Sequence, residues 1–125
     1  MVKFICKILP YWLTYTSDGL SDWEGGRTTF LSIRIKPAYK IDVSLLAHEL
    51  EHIKQQYKTC FLHGLLYSIS NRYKLYAESQ AFIVGQIKHN TLTVEQVAAA
   101  LYDNYSLGFS YDYILEYLKG LIKNA

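Results

Sequence analysis

Residues 31–58 read LSIRIKPAYKIDVSLLAHELEHIKQQYK, and the chain changes character inside them. Leu31, Ile33 and Ile35 alternate with Ser32, Arg34 and Lys36, which is the period of a half-buried strand. Pro37 ends that alternation. From Asp42 onward the period becomes helical: Leu46, Leu50, Ile53 and Tyr57 fall on one stripe, and Asp42 is placed to cap a helix over 42–57.

The same division holds outward in both directions. Upstream, Val2, Phe4, Cys6 and Ile8 alternate with Lys3, Ile5 and Lys7. Pro10 breaks that run, and residues 11–16 are rich in aromatic and β-branched side chains. Asp18-Gly19 and Gly25-Gly26 are turn dipeptides on either side of Trp23. Three strands with short connections predict a small antiparallel meander. Downstream, residues 61–69 read as a short apolar helix, and Asn71 is placed to cap a long helix over 73–88. Thr93 with Gln96 has capping-box spacing for a helix through 103, and Ser110 opens a last helix to 123. Strands first and helices second predict one α+β domain over residues 1–125.

Composition sets outer bounds. Half of the 125 residues are hydrophobic and 19% are charged, which supplies a core and excludes a disordered tail or a coiled coil. Thirteen basic and eleven acidic side chains leave a net charge of +2, too balanced to point to nucleic acid or an anionic membrane. Residues 61–69 are the longest apolar run, far short of the ~18–20 residues of a membrane span, and they include His63. Cys6 and Cys60 are too few for a disulfide scaffold; both read as buried small hydrophobes in a reducing cytoplasm.

One motif carries chemistry. His48-Glu49-Leu50-Glu51-His52 is an HExxH sequence on the helix already derived from capping and periodicity. Positions i and i+4 lie one turn apart on the same face, so both imidazoles can reach one ion, and zinc takes such nitrogens at about 2.0–2.1 Å. Glu49 lies beside the ligand pair, where it can accept a proton instead of binding the metal.

A catalytic zinc needs a third protein ligand and an open position. A metzincin would place a histidine at position 58, which is Lys58. Glu78 is the better candidate: Ala81 and Gly85 share its helical face, and small residues there would let the two helices approach closely. His63 reads as a core or cleft histidine, and His89 as a cation at a helix C-terminus.

HExxH followed by Glu78-Ser79-Gln80-Ala81 resembles the gluzincin zinc metallopeptidases, and the whole pattern over residues 28–88 looks most like the minigluzincins. The resemblance implies a zincin-like fold with an active-site helix and a glutamate helix. It implies His48, His52 and Glu78 as zinc ligands and Glu49 as general base and acid. It also implies that the strand over 28–36 pairs with an extended peptide or protein substrate. Many gluzincins carry an acidic residue after the ExxA alanine to support the second ligand histidine; here that position is Phe82, and the supporting partner is open. Minigluzincins resemble zymogens, which makes the tyrosine-rich segment 104–117 a candidate for blocking the cleft.

The expected activity is therefore zinc-dependent peptide hydrolysis in the cytoplasm. Tyr73, Tyr76, His63, Tyr111 and Tyr113 are alternative donors to an oxyanion. Two other functions share the motif: an ImmA/IrrE-like regulatory peptidase with one dedicated protein substrate, and a zinc-containing binding module without turnover.

Overall fold

The computed structural model describes residues 2–5 and 9–124; Cys6 and Ile8 of the alternating N-terminal run lie outside them. The chain is α+β. Strands β1 (Val2–Ile5), β2 (Leu9–Tyr15), β3 (Gly26–Thr29) and β4 (Ser32–Ile35) come first. Helices α1 (Val43–Lys58), α2 (His63–Ile69), α3 (Asn71–Phe82), α4 (Val94–Asn104) and α5 (Tyr111–Lys123) follow. A single π-helical turn, Ile83–Ile87, continues α3.

The sheet is mixed, which corrects the antiparallel three-stranded meander. Its order is β1-β2-β4-β3, with β1–β2 and β3–β4 antiparallel but β2–β4 parallel, Leu13 opposite Ile33. The cause is one extra reversal. The stretch 28–36 is two strands, not one, folded back at Phe30, whose φ of 52° is left-handed. That turn sends β4 home parallel to β2 and leaves β3 at the sheet edge. Pro10 falls inside β2 and does not break it. It lies beyond the residues that pair with β4, which begin at Trp12, so its missing N–H costs no bond on that side.

Alternation still decides which face is buried. Tyr11, Leu13, Ile33 and Ile35 point inward against Ile53 of α1, with Leu46, Leu50 and Tyr57 packed around them, so the predicted stripe of α1 lies on the sheet. The Tyr57 hydroxyl donates to the Pro10 carbonyl at 2.5 Å and pins the end of α1 to β2. A second core joins α3, α4 and α5 through Leu75, Phe82, Val97, Leu101, Ile114 and Leu118.

Helix starts follow local chemistry. Asp42 accepts from the Leu45 N–H at 3.1 Å, both halves of the Thr93–Gln96 capping box are made, and Ser110 caps α5. Ser70, not Asn71, caps α3, accepting from the Tyr73 N–H at 3.1 Å. Cys60 is exposed rather than buried, because α1 ends in a left-handed turn through Cys60 and Phe61, at φ 52° and 69°. Among the described residues, no helix is long and apolar enough to cross a membrane.

Candidate metal centre

His48, Glu49 and His52 lie on α1 beside the stripe that packs on the sheet, and all are buried. Glu78 meets them from α3, only 4% exposed. Its Oε1 lies 3.2 Å from His48 Nε2 and 3.3 Å from His52 Nε2. Ligand atoms bound at ~2.0–2.1 Å in a tetrahedral shell stand about 3.3 Å apart, so both edges of the triangle from Glu78 have the length expected within a metal's donor set, and all three groups lie within 4.8 Å of one another. Among the described residues it is the cluster of three such groups close enough to hold one ion, and all three are buried.

The approach of the two helices has an identifiable cause. A Cβ on Gly85 would lie 2.6 Å from the Ser44 carbonyl oxygen and 2.9 Å from His48 Cβ, so only glycine permits this spacing. Ala81 is fully buried on the same face. The π turn widens the helix at that contact.

Each imidazole is oriented from behind. His52 Nδ1 lies 2.9 Å from Gln55 Oε1, while the same amide donates through Nε2 to the Ala77 carbonyl at 3.0 Å. That second bond fixes which end of the amide is oxygen, so His52 Nδ1 must be the donor and Nε2 is the ring nitrogen left to face Glu78. His48 Nδ1 lies 3.0 Å from Gln86 Oε1, on the π turn. For the second histidine, His52, Gln55 is the supporting partner that Phe82 could not be; Phe82 instead packs edge-on to the His48 ring, centroids 4.4 Å apart. The Tyr67 hydroxyl donates to Glu78 Oε2 at 2.5 Å, which holds that oxygen aside and leaves Oε1 to the histidines.

Electron-rich atoms at this spacing need a positive charge among them. Burial pulls the His52 imidazole down, but the Glu78 carboxylate outweighs it and raises the group to about 9. Burial would lift Glu78, yet the charge of His52 and the hydrogen bonds from both histidines hold it well below the usual carboxylate range. A proton supplies this charge without an ion; a divalent cation would satisfy all three donors at once. Burial and the Glu78 charge push the Tyr67 hydroxyl far up, so it stays a donor. Burial, with the charge of His52, pushes His63 down to about 4 and keeps it neutral.

The triangle opens into a cleft of about 400 Å³. Edge strand β3 forms one wall, where Thr28 Oγ1 donates to Glu49 Oε2 at 2.7 Å. His63, Tyr67 and Lys74 line it from α2 and α3, and Trp23 and Tyr105, rings 5.3 Å apart, line it as well. His63 Nδ1 pairs with the Tyr73 hydroxyl at 2.7 Å, and His89 Nδ1 with the Gly85 carbonyl at 2.8 Å, so neither histidine joins the triangle. Of segment 104–117, Asn104 and Tyr105 line the cleft, while Leu107 and Ile114 belong to the helical core.

Tyr67, Gln55 and Gln86 were not visible as site residues in the sequence. Gln55 lies three residues after His52, a spacing that would have marked it, whereas Gln86 reaches His48 from another element and carries no local signal. No protein-family model, curated protein or solved structure matches this chain, and what the site can do follows from its own residues.

Proposed function

We propose that the chain is a zinc-dependent metallopeptidase of the gluzincin type, acting on a peptide or protein substrate in the cytoplasm. The carrying observation is the triangle of His48 Nε2, His52 Nε2 and Glu78 Oε1, with the histidines locked through Nδ1 and the carboxylate through Oε2. Two imidazoles and one carboxylate, with a cleft before them, suit zinc with a position left open. When bound, zinc supplies a Lewis acid that acidifies a water and polarises a carbonyl.

The chain's own residues supply the remainder. Glu49 takes the proton of the attacking water and returns it to the leaving amine, and Thr28 fixes the carboxylate for that exchange. The outer edge of β3 offers its free backbone groups to an extended peptide, which would add to the sheet as one more strand.

Elemental analysis of the purified protein tests the reading. About one zinc per chain is expected, lost in His48→Ala and weakened in Glu78→Ala. Glu49→Gln should keep the zinc and lose about 10²–10⁴-fold in peptide or casein cleavage. A zinc-free wild type after reconstitution would end the enzyme reading. Zinc with no cleavage of generic substrates would leave a dedicated protein substrate or a non-catalytic zinc module.

A further inference from the structure

The cleft holds three carboxylates, and each is already engaged. Glu24 accepts from Arg27 and from the Ser21 N–H, Glu49 accepts from Thr28, and Glu78 faces the histidines and Tyr67. Its cations are not matched in the same way. Arg27, on β3, meets Glu24 side-on through Nε and Nη2. A guanidinium has five N–H donors, so three remain, at the end formed by Nη1 and Nη2. That end is the fork that takes a carboxylate through two parallel bonds. Arg27 is partly exposed, its side chain at 43%, and Glu24 behind it is buried and held by the Ser21 N–H at 2.9 Å. The guanidinium is thus aimed rather than neutralised and withdrawn.

Lys74 lines the same cleft from the first turn of α3. Its Nζ lies 5.1 Å over the Tyr67 ring. Among the described residues no carboxylate comes within ion-pair distance of it. Tyr67 in turn touches Glu78, so this cation stands one side chain away from the ligand triangle. Both cations line the same cleft as the triangle.

We propose that Arg27 and Lys74 form a carboxylate-recognition subsite in this cleft, selecting peptides with an acidic side chain or a free C-terminal carboxylate next to the scissile bond. This rests on the peptidase reading for its substrate class, while the subsite itself rests on the two cations. Arg27 supplies the directional fork, and Lys74 supplies a second positive charge from α3.

Binding to the zinc-loaded Glu49→Gln protein separates the two ideas. The probes are N-acetylated octapeptide pools: one with glutamate at a fixed position and an amidated end, its glutamine twin, and a neutral pool with a free C-terminus. At least one carboxylate pool should bind about tenfold tighter than the glutamine pool, with the margin shrinking as salt rises. The tighter of the two identifies the source, side chain or chain end. Lys74→Met should cut the margin severalfold and Lys74→Arg should restore it, which a loss of fold would not do; Arg27→Gln should cut it further. Three pools bound within twofold of one another, no binding of any pool, or a margin unchanged in Lys74→Met and Arg27→Gln would overturn the subsite. A persistent margin in a protein whose wild type cleaves none of the pools would overturn cleavage of generic peptides and leave the subsite standing.

Discussion

The core beneath α1 and the core joining α3, α4 and α5 are built from the same kind of aliphatic side chains, yet they serve the site differently. The first packs Ile53 on Ile33 and Ile35 and thereby fixes a helix that carries both imidazoles and Glu49. The second packs Leu75 and Phe82 on Leu101 and Leu118 and fixes Glu78 and Gln86. What joins the halves at the site is a seam of different chemistry. Gly85 presses on Ser44 and His48, Gln55 reaches the Ala77 carbonyl, Gln86 reaches His48, and Glu78 bridges the two histidines. The donor triangle is therefore a statement about how two separately packed halves sit together, and a bound ion would hold them in that relation.

The largest effects come from emptying either core. Ile53→Ala and Leu118→Ala remove fully buried side chains and should each cost about 2–5 kcal/mol in urea unfolding. Under the zinc reading proposed above, metal affinity sharpens the comparison. Ile53→Ala loosens the helix that bears two of the proposed ligands and should weaken binding more than Leu118→Ala, whose core holds only the third. Equal losses of affinity in both would mean that the halves are not separable.

Next in size is the seam itself. Gly85→Ala sets a methyl against a backbone carbonyl, which cannot swing away, and should cost about 1–3 kcal/mol. Because the two helices must part, zinc affinity should fall as well, read by competition with a chromophoric chelator. An unchanged affinity would show that the triangle tolerates more separation than its 3.2 and 3.3 Å spacings suggest.

The two supporting glutamines differ in a way that affinity and stability can resolve together. Gln86→Leu removes the acceptor behind His48 and should weaken zinc by about tenfold or more, with little change in stability. Gln55→Leu removes the acceptor behind His52 and also the side-chain bond that ties α1 to the Ala77 carbonyl of α3, so it should add about 1–2 kcal/mol of instability. Equal stability of the two variants would contradict the clamp assigned to Gln55.

What could be read from the sequence divides along the same line between local and tertiary causes. Asp42, the Thr93–Gln96 box and Ser110 act within a few residues, so the starts of α1, α4 and α5 were legible. His48 and His52 share a helix face by spacing alone, and Ala81 and Gly85 mark a face where another helix can come close. The reversal at Phe30 was not legible, because a phenylalanine in the left-handed region carries no turn signal of the kind glycine or asparagine does. Missing that turn also cost the parallel β2–β4 pairing and the edge position of β3. Tyr67 was overlooked among twelve tyrosines, since only the return of α2 against α3 brings its hydroxyl to Glu78.

The smallest effect tests whether position, rather than residue type, governs the glycines. Gly120 lies in the interior of α5, and a Cβ built there meets nothing within 4 Å. Glycine in a helix interior costs about 1 kcal/mol relative to alanine, through the backbone freedom it retains when unfolded. Gly120→Ala should therefore stabilise the protein by up to about 1 kcal/mol and leave zinc binding alone, the reverse of the same substitution at Gly85. A double variant should give the sum of the two stability changes, since the residues lie in different elements without a shared partner. A stabilising Gly85→Ala would remove the close approach of α1 and the π turn as the reason for glycine there, and with it the account of how two halves are set at the distance of one ion.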